Sequence, residues 1–280
     1  MVMTVKKVNL AKIDMCNGPI LRNVLFFALP IVIGNLMQIM FSAVDMVVVG
    51  KFVGEEALAA VGANISLTYL ILNLFVGLSI GANIVTARYY GAQDKKCVEE
   101  TVHCSMAICL ISGIIMMCFG IFAARFSLEM LDTPDNILDD AVTYLRVCAV
   151  GFPFTLIFNF TRAIANAEGD TRFPLYCLIA AGAVNVVLNL CFVLIFRLDV
   201  FGVALATVIS GGLSAILMTV HLCRKTTMIK LELRNIRIVA DKAADILKVG
   251  LPAGLQGIAF SISNVILQNA VNSFGAVVVA

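Results

Sequence analysis

The stretch from Arg22 to Lys51, RNVLFFALPIVIGNLMQIMFSAVDMVVVGK, sets a single carboxylate, Asp45, in an otherwise apolar run between two basic residues. A helix rises about 1.5 Å per residue and needs about 20 residues to cross a ~30 Å hydrocarbon layer, so the run predicts a tilted membrane-spanning helix. An Asp at the centre of such a helix costs about 2.5–3.5 kcal/mol on insertion scales, and a sequence that keeps one shelters it in the bundle or in a wet cavity. Asp45 also lies six residues before Lys51, about 9 Å below that end, where a carboxylate reaches interfacial water without any function. From this helix alone both readings stay open. Pro30 is similarly double: it lacks an N–H and bends a helix, yet spanning helices tolerate Pro where neighbours satisfy the freed carbonyl.

Composition decides the class. Hydrophobic residues make up 61% of the 280 and charged residues 14%, with a mean hydropathy of +0.99, far from the roughly 45–50% apolar and 25% charged of a soluble domain. The chain is expected to be an all-α polytopic membrane protein. Nothing in it suggests a nucleic-acid partner. Nine cysteines fall mostly inside apolar runs without a CxxC pair, so they read as small buried hydrophobes and neither a disulfide framework nor a metal site is expected. The first 23 residues are too polar for the apolar core of a signal peptide and read as a retained segment.

Further apolar runs are expected over about 65–87, 102–124, 141–165, 175–196, 200–222 and from 249 onward, with KFVGEEALAAVG as a turn after the first and RFSLEMLDTPDNILDD as an acidic linker before the fourth. Lys and Arg gather on one side: Lys6, Lys7, Lys12 and Arg22 of the amino-terminal segment, the Arg88–Lys96 turn, Arg162 and Arg172, the connection carrying Arg224, Lys225, Lys230, Arg234, Arg237 and Lys242, and Lys248. The other side holds Lys51, Arg125 and Arg197. The positive-inside rule then puts the amino terminus in the cytoplasm, in a multi-pass protein of the plasma membrane.

An internal repeat is also legible. Leu25, Leu29 and Pro30 match Leu247, Leu251 and Pro252 at a constant offset; Phe52 matches Phe274, and Gly54 matches Gly275 after a one-residue slip. Six crossings lie between the segments, so both run the same way through the membrane, as parallel transporter repeats require. The expected organisation is a six-helix lobe over 1–223, a basic connector over 224–245 and, over 246–280, the first helix of a second lobe whose remainder is missing, which makes the chain an incomplete form.

Three crossings place polar groups about 9–12 Å below one membrane surface: Asp45 on the first, Asn185 and Asn189 on the fifth, and Thr207 on the sixth. Asn185 and Asn189 are four residues apart and share a helical face. Such groups can simply glue helices together, at about 0.6–2 kcal/mol apiece; Thr often bonds its own backbone. The sharper alternative is a cavity whose carboxylate loads and releases a cation while amides bond either of its protonation states. Asn73, Asn159 and Phe41 are further candidates for lining a substrate cavity, though single membrane Asn residues commonly make structural bonds. Glu168, Asp170 and Arg172 suggest a charge network locking a turn, and His103 and His221 read as interface residues near helix ends.

The segments GPILRNVLFFALPIVIGNLMQIMFSAVDMVVVGKFVGEEALAAVG, GLSIGANIVTARYYGAQD, RAIANAEGDTRFP with the following NVVLN, and FGVALATVIS resemble the amino-terminal half of the multidrug and toxic compound extrusion (MATE) family, in order and over essentially the whole chain. The resemblance implies a twelve-helix transporter of two rocking lobes that exports cationic or amphipathic drugs in exchange for H⁺ or Na⁺, with no other cofactor. It implies that Asp45, Asn185 and Thr207 belong to the cation site of the amino lobe. Asn189 departs from the family's N-x-x-x-D pattern; an amide does not titrate, so Asp45 is left as the acid of this lobe. The rivals are a lipid-linked oligosaccharide flippase, which needs cavity cations to hold a pyrophosphate, and a seven-helix receptor, which conflicts with the charge distribution and the repeat. No nucleophile with a base partner marks an enzyme.

Overall fold

In the computed structural model, residues 20–130 and 133–273 are described. The amino-terminal Lys6, Lys7 and Lys12 of the charge argument and the repeat positions Phe274 and Gly275 lie outside these residues. Eight α-helices follow in order: α1 (Ile20–Phe52), α2 (Glu55–Gly91), α3 (Lys95–Phe122), the short α4 (Ala124–Met130), α5 (Asp135–Ala167), α6 (Arg172–Leu190), α7 (Asp199–Arg224) and α8 (Ala240–Ser273). Seven are long and apolar enough to cross a membrane, and no strand occurs among the described residues.

The boundaries correct the sequence reading at both ends of α2 and at the start of α8. The stretch EEALAA, read as part of a turn, is the first turns of α2: Ala, Leu and Glu are strong helix formers, and Glu55 and Glu56 favour the positive end of the helix dipole. The turn shrinks to Val53 and Gly54, and Gly54 takes φ 133°, a conformation that only a residue without a Cβ adopts freely. Helix α3 starts seven residues before its apolar run because Asp94 caps it, accepting the Cys97 N–H at 3.0 Å. The acidic linker contains α4 and the start of α5, and α8 begins at Ala240, which shortens the basic connector.

Helices α2 and α5 are the centre of the bundle. Helix α2 packs against α5, α8 and α3, and α5 against α2, α7 and α3; α6 lies on α7, and α1 lies on α6 at the edge. Lipid tails are as apolar as Leu, so apolar faces do not by themselves drive these helices together, and close backbone approach and interhelical hydrogen bonds do. Asn64 and Asn83 of α2 each donate to a main-chain carbonyl of α5, Ala141 O at 2.9 Å and Ala163 O at 2.6 Å. Gly77 and Gly81 of α2 meet the backbone of Gly250 and Gly254 of α8 so closely that a Cβ at Gly77 would overlap Gly254. The core between α3, α5 and α7 is filled by Val98, Val102, Leu145, Leu156, Ile164 and Met218. On α1, Leu25, Leu29, Leu36 and Ile39 remain exposed, as befits the crossing with the fewest protein neighbours.

Candidate functional site

A cavity of about 440 Å³ opens between α1, α2, α5 and α7. Each wall is a helical stripe. Gln38, Ser42 and Asp45 come from α1, Asn64, Thr68 and Leu72 from α2, Tyr144, Cys148, Phe152 and Thr155 from α5, and Thr207 and Val208 from α7. The i, i+4, i+8 spacing of Asn64, Thr68 and Leu72 puts all three on one face of α2. Asp45 is the one charged side chain among the lining residues. A cavity of this polarity attracts cations and offers no cationic side chain to hold an anion.

Asp45 is half-buried, and its carboxylate accepts a hydrogen bond from the Asn189 amide of α6. Asn189 is fully buried, and its amide nitrogen also donates to Asn185 Oδ1 at 3.3 Å. The two amides stacked one turn apart thus act in series: Asn185 turns the NH₂ end of Asn189 toward α1, and Asn189 holds the acid. The α-helical part of α6 ends at Leu190, one residue beyond, and the chain continues as a π turn over Cys191–Ile195; π turns interrupt helices frequently at functional sites. Thr207 lines the same cavity, but its hydroxyl donates to Val203 O at 3.1 Å and not to the acid.

The remaining candidates lie elsewhere. Asn73 donates to Ser261 Oγ at 2.7 Å and joins α2 to α8. Asn159 donates to Thr155 O at 2.9 Å and accepts from Arg162 at 3.4 Å. The Phe41 ring occupies the space beside Gly182, where a side chain of α6 would otherwise stand. None of the three lines the cavity. Pro30 sits inside α1 and is buried, facing a crevice of about 20 Å³ shared with Arg162, Asn166 and Pro174, which has room for about one water. Asn64 is among the cavity residues not legible in the sequence, since it falls between the expected turn over KFVGEEALAAVG and the apolar run from about 65; the helix-forming EEALAA before it carried the signal.

The charge network expected at the α5–α6 turn also takes in a cation from α7. Lys225, from the end of α7, places Nζ 2.7 Å from Glu168 Oε2 and 2.9 Å from Asp170 Oδ2, all three being buried. His221 Nε2 lies 2.9 Å from the same Asp170 oxygen, and its ring stacks on Phe173 with centroids 3.6 Å apart. Burial alone would raise the Asp170 carboxyl, but His221, Lys225 and the Phe173 N–H together hold it down at about 2. His103, buried in α3, bonds the Glu99 carbonyl at 2.7 Å and accepts the Glu232 N–H at 3.1 Å, which fastens the connector to the bundle. A recess of about 330 Å³ nearby is lined by Lys96, Glu99, Glu100, Arg234 and Arg237, whose charges largely offset one another.

Apolar crossing helices around a chamber with one acid and no base define a polytopic membrane transporter fold. The MatE family model matches residues 30–191, and the chain belongs to that family. Among curated relatives, the probable multidrug resistance protein YpnP of Bacillus subtilis (strain 168) is 27% identical over 267 residues, covering 95% of this chain and 60% of that protein. A solved multidrug resistance MATE family transporter in its outward-facing conformation is 27% identical with a TM-score of 0.80, covering 87% of this chain and 54% of that one. An inward-facing structure of such a transporter gives 27% identity and a TM-score of 0.74, covering 80% and 51%. The chain therefore spans about three-fifths of the length of the curated relative and about half of the solved ones.

Proposed function

We propose that this chain forms the amino-terminal lobe of an antiporter that exports cationic or amphipathic organic compounds across the plasma membrane, driven by inward movement of H⁺ or Na⁺. The observation that carries the reading is Asp45: one acid in a chamber without a base, held by the amide of Asn189. With Asn at 189, coupling in this lobe rests on Asp45 alone. A proton or Na⁺ that binds Asp45 shifts the balance of two conformations only if its affinity differs between them, and the solved relatives in inward- and outward-facing conformations supply the two states. Helix α8 opens the second lobe in this scheme, and activity requires that lobe. The amino terminus is cytoplasmic. A flippase for pyrophosphate-linked lipids is disfavoured by a cavity lining without Lys, Arg or His.

The test is ethidium efflux from vesicles holding the full-length protein, with an imposed pH or sodium gradient. Asp45→Asn is expected to abolish gradient-driven efflux while expression is retained. Undiminished efflux in that variant overturns the reading.

A further inference from the structure

The polar hydrogens of the cavity are largely spoken for. Asn64 is fully buried, and its Nδ2 donates both to Ala60 O at 2.8 Å and to Ala141 O at 2.9 Å. Its NH₂ group is thereby committed to two helices and cannot flip, and Oδ1 is buried without a hydrogen-bond partner. Ser42, Thr155 and Thr207 each give their single hydroxyl hydrogen to a carbonyl of their own helix, Gln38 O, Gly151 O and Val203 O. Tyr144 has an interaction of its own as well. A hydroxyl or amide whose hydrogens are used presents only lone pairs to a ligand. Thr68 and Gln38 remain, and either can turn an oxygen inward. Beyond the charge of Asp45, the chamber offers acceptors.

We propose that this cavity discriminates among cations, preferring those that carry N–H donors (protonated amines, guanidiniums) over quaternary cations of the same shape, with Asn64 the main specificity-determining residue. The inference rests on the transport reading above. Charge alone does not separate the two classes, because Asp45 attracts both. Neutral acceptors do, since a quaternary head packs against them and gives no hydrogen bond in return. Sites built to hydrogen-bond a group reject the analogue that lacks it, for the partner is then left unpaired. Asn64 dominates because its carbonyl is fixed by two main-chain bonds and has no partner of its own, whereas the threonine oxygens already bond within their helices.

The experiment is equilibrium binding at pH 7 to the full-length protein in nanodiscs, with two probes. One is an acridine with a dimethylaminopropyl arm, protonated at this pH, and the other is the same acridine with a trimethylammoniopropyl arm. The protonated amine is expected to bind roughly ten-fold tighter, a ratio of the size one charge-assisted hydrogen bond gives. Asn64→Leu, of similar size, should bring the ratio toward one. Because that change also removes the bond to α5, Thr155→Val and Thr207→Val serve as second variants; each deletes a cavity oxygen without breaking a bond between helices, and each should narrow the ratio by a smaller factor. Equal affinities in the unmodified protein, or a ratio untouched by all three variants, overturn the inference. If both probes bind and both are lost in Asp45→Asn, the transport reading survives that failure; if neither binds, both fall.

Discussion

The side-chain amide of Asn189, on α6, donates to the carboxylate of Asp45, on α1, and ties the outermost crossing to the bundle at the level of the cavity. The bond makes Asn189→Asp informative. Two carboxylates in contact do not both stay ionised without a shared proton or cation. The variant should therefore acquire a stability that rises on acidification from pH 8 to 6 or on exchanging KCl for NaCl. Asn189→Leu, which deletes a donor and adds no second carboxylate, should melt lower than the unmodified protein and gain no dependence on sodium. Thermal unfolding in detergent reads both, with about 2–4 °C expected per kcal/mol for a chain of this size. An Asn189→Asp protein indifferent to pH and sodium means that the two side chains do not meet.

The buried cluster at the other end of the bundle predicts an acid limb of stability. Asp170, held at about 2 by His221 and Lys225 against burial, has a folded-state value below its ordinary one. The stabilisation it contributes is complete above about pH 4 and is lost as the pH falls toward 2. Melting curves between pH 5 and 2 should show that loss, and Asp170→Asn should flatten it. Lys225→Met removes the ammonium that both Glu168 and Asp170 contact, and breaking a buried pair in this way costs about 3–5 kcal/mol. A Lys225→Met protein that melts with the unmodified one removes the cluster from the forces holding α7 to the α5–α6 turn.

Seven crossings were legible because a spanning helix must be long and apolar, and both properties are local. The charged flanks were not: a helix that continues past the hydrocarbon layer looks like a loop to hydropathy, so the first turns of α2 read as a turn and Asn64, just beyond it, fell outside the expected apolar run. Depth was legible as well, and Asp45 and Thr207 do share one cavity. Rotation about the helix axis was not. Leu72 lines the cavity, and Asn73, one residue and about 100° onward, faces Ser261 of α8 instead. Phe41 stands off the Gln38–Ser42–Asp45 stripe of α1 and packs on Gly182. Asn159 continues the Tyr144–Thr155 stripe of α5 by one turn, past the end of the cavity, and bonds back to Thr155. Residue type at a given depth nominated all three; which neighbour each side chain meets depends on packing between helices distant in sequence. Lys225 was not legible as a member of the turn network for the same reason, lying 55 residues or more from its acids.

One chemical change has opposite effects at two glycines, one in the seam between α2 and α8 and one in α7. A Cβ at Gly77 would fall against the nitrogen and Cα of Gly254 and the carbonyl oxygen of Gly250, and backbone atoms cannot swing aside as the end of a side chain does. Gly77→Ala must therefore part the helices, stretching the neighbouring bond from Asn73 to Ser261 and lowering the unfolding midpoint. At Gly211, within α7, a Cβ meets nothing within 4 Å, and Ala favours a helix interior over Gly by about 0.8–1 kcal/mol. Gly211→Ala should accordingly melt at or above the unmodified protein. The two variants compared in one detergent decide the matter: if Gly77→Ala is as stable as Gly211→Ala, α2 and α8 do not approach through their glycines, and the contact between the first six crossings and α8 is looser than this packing requires.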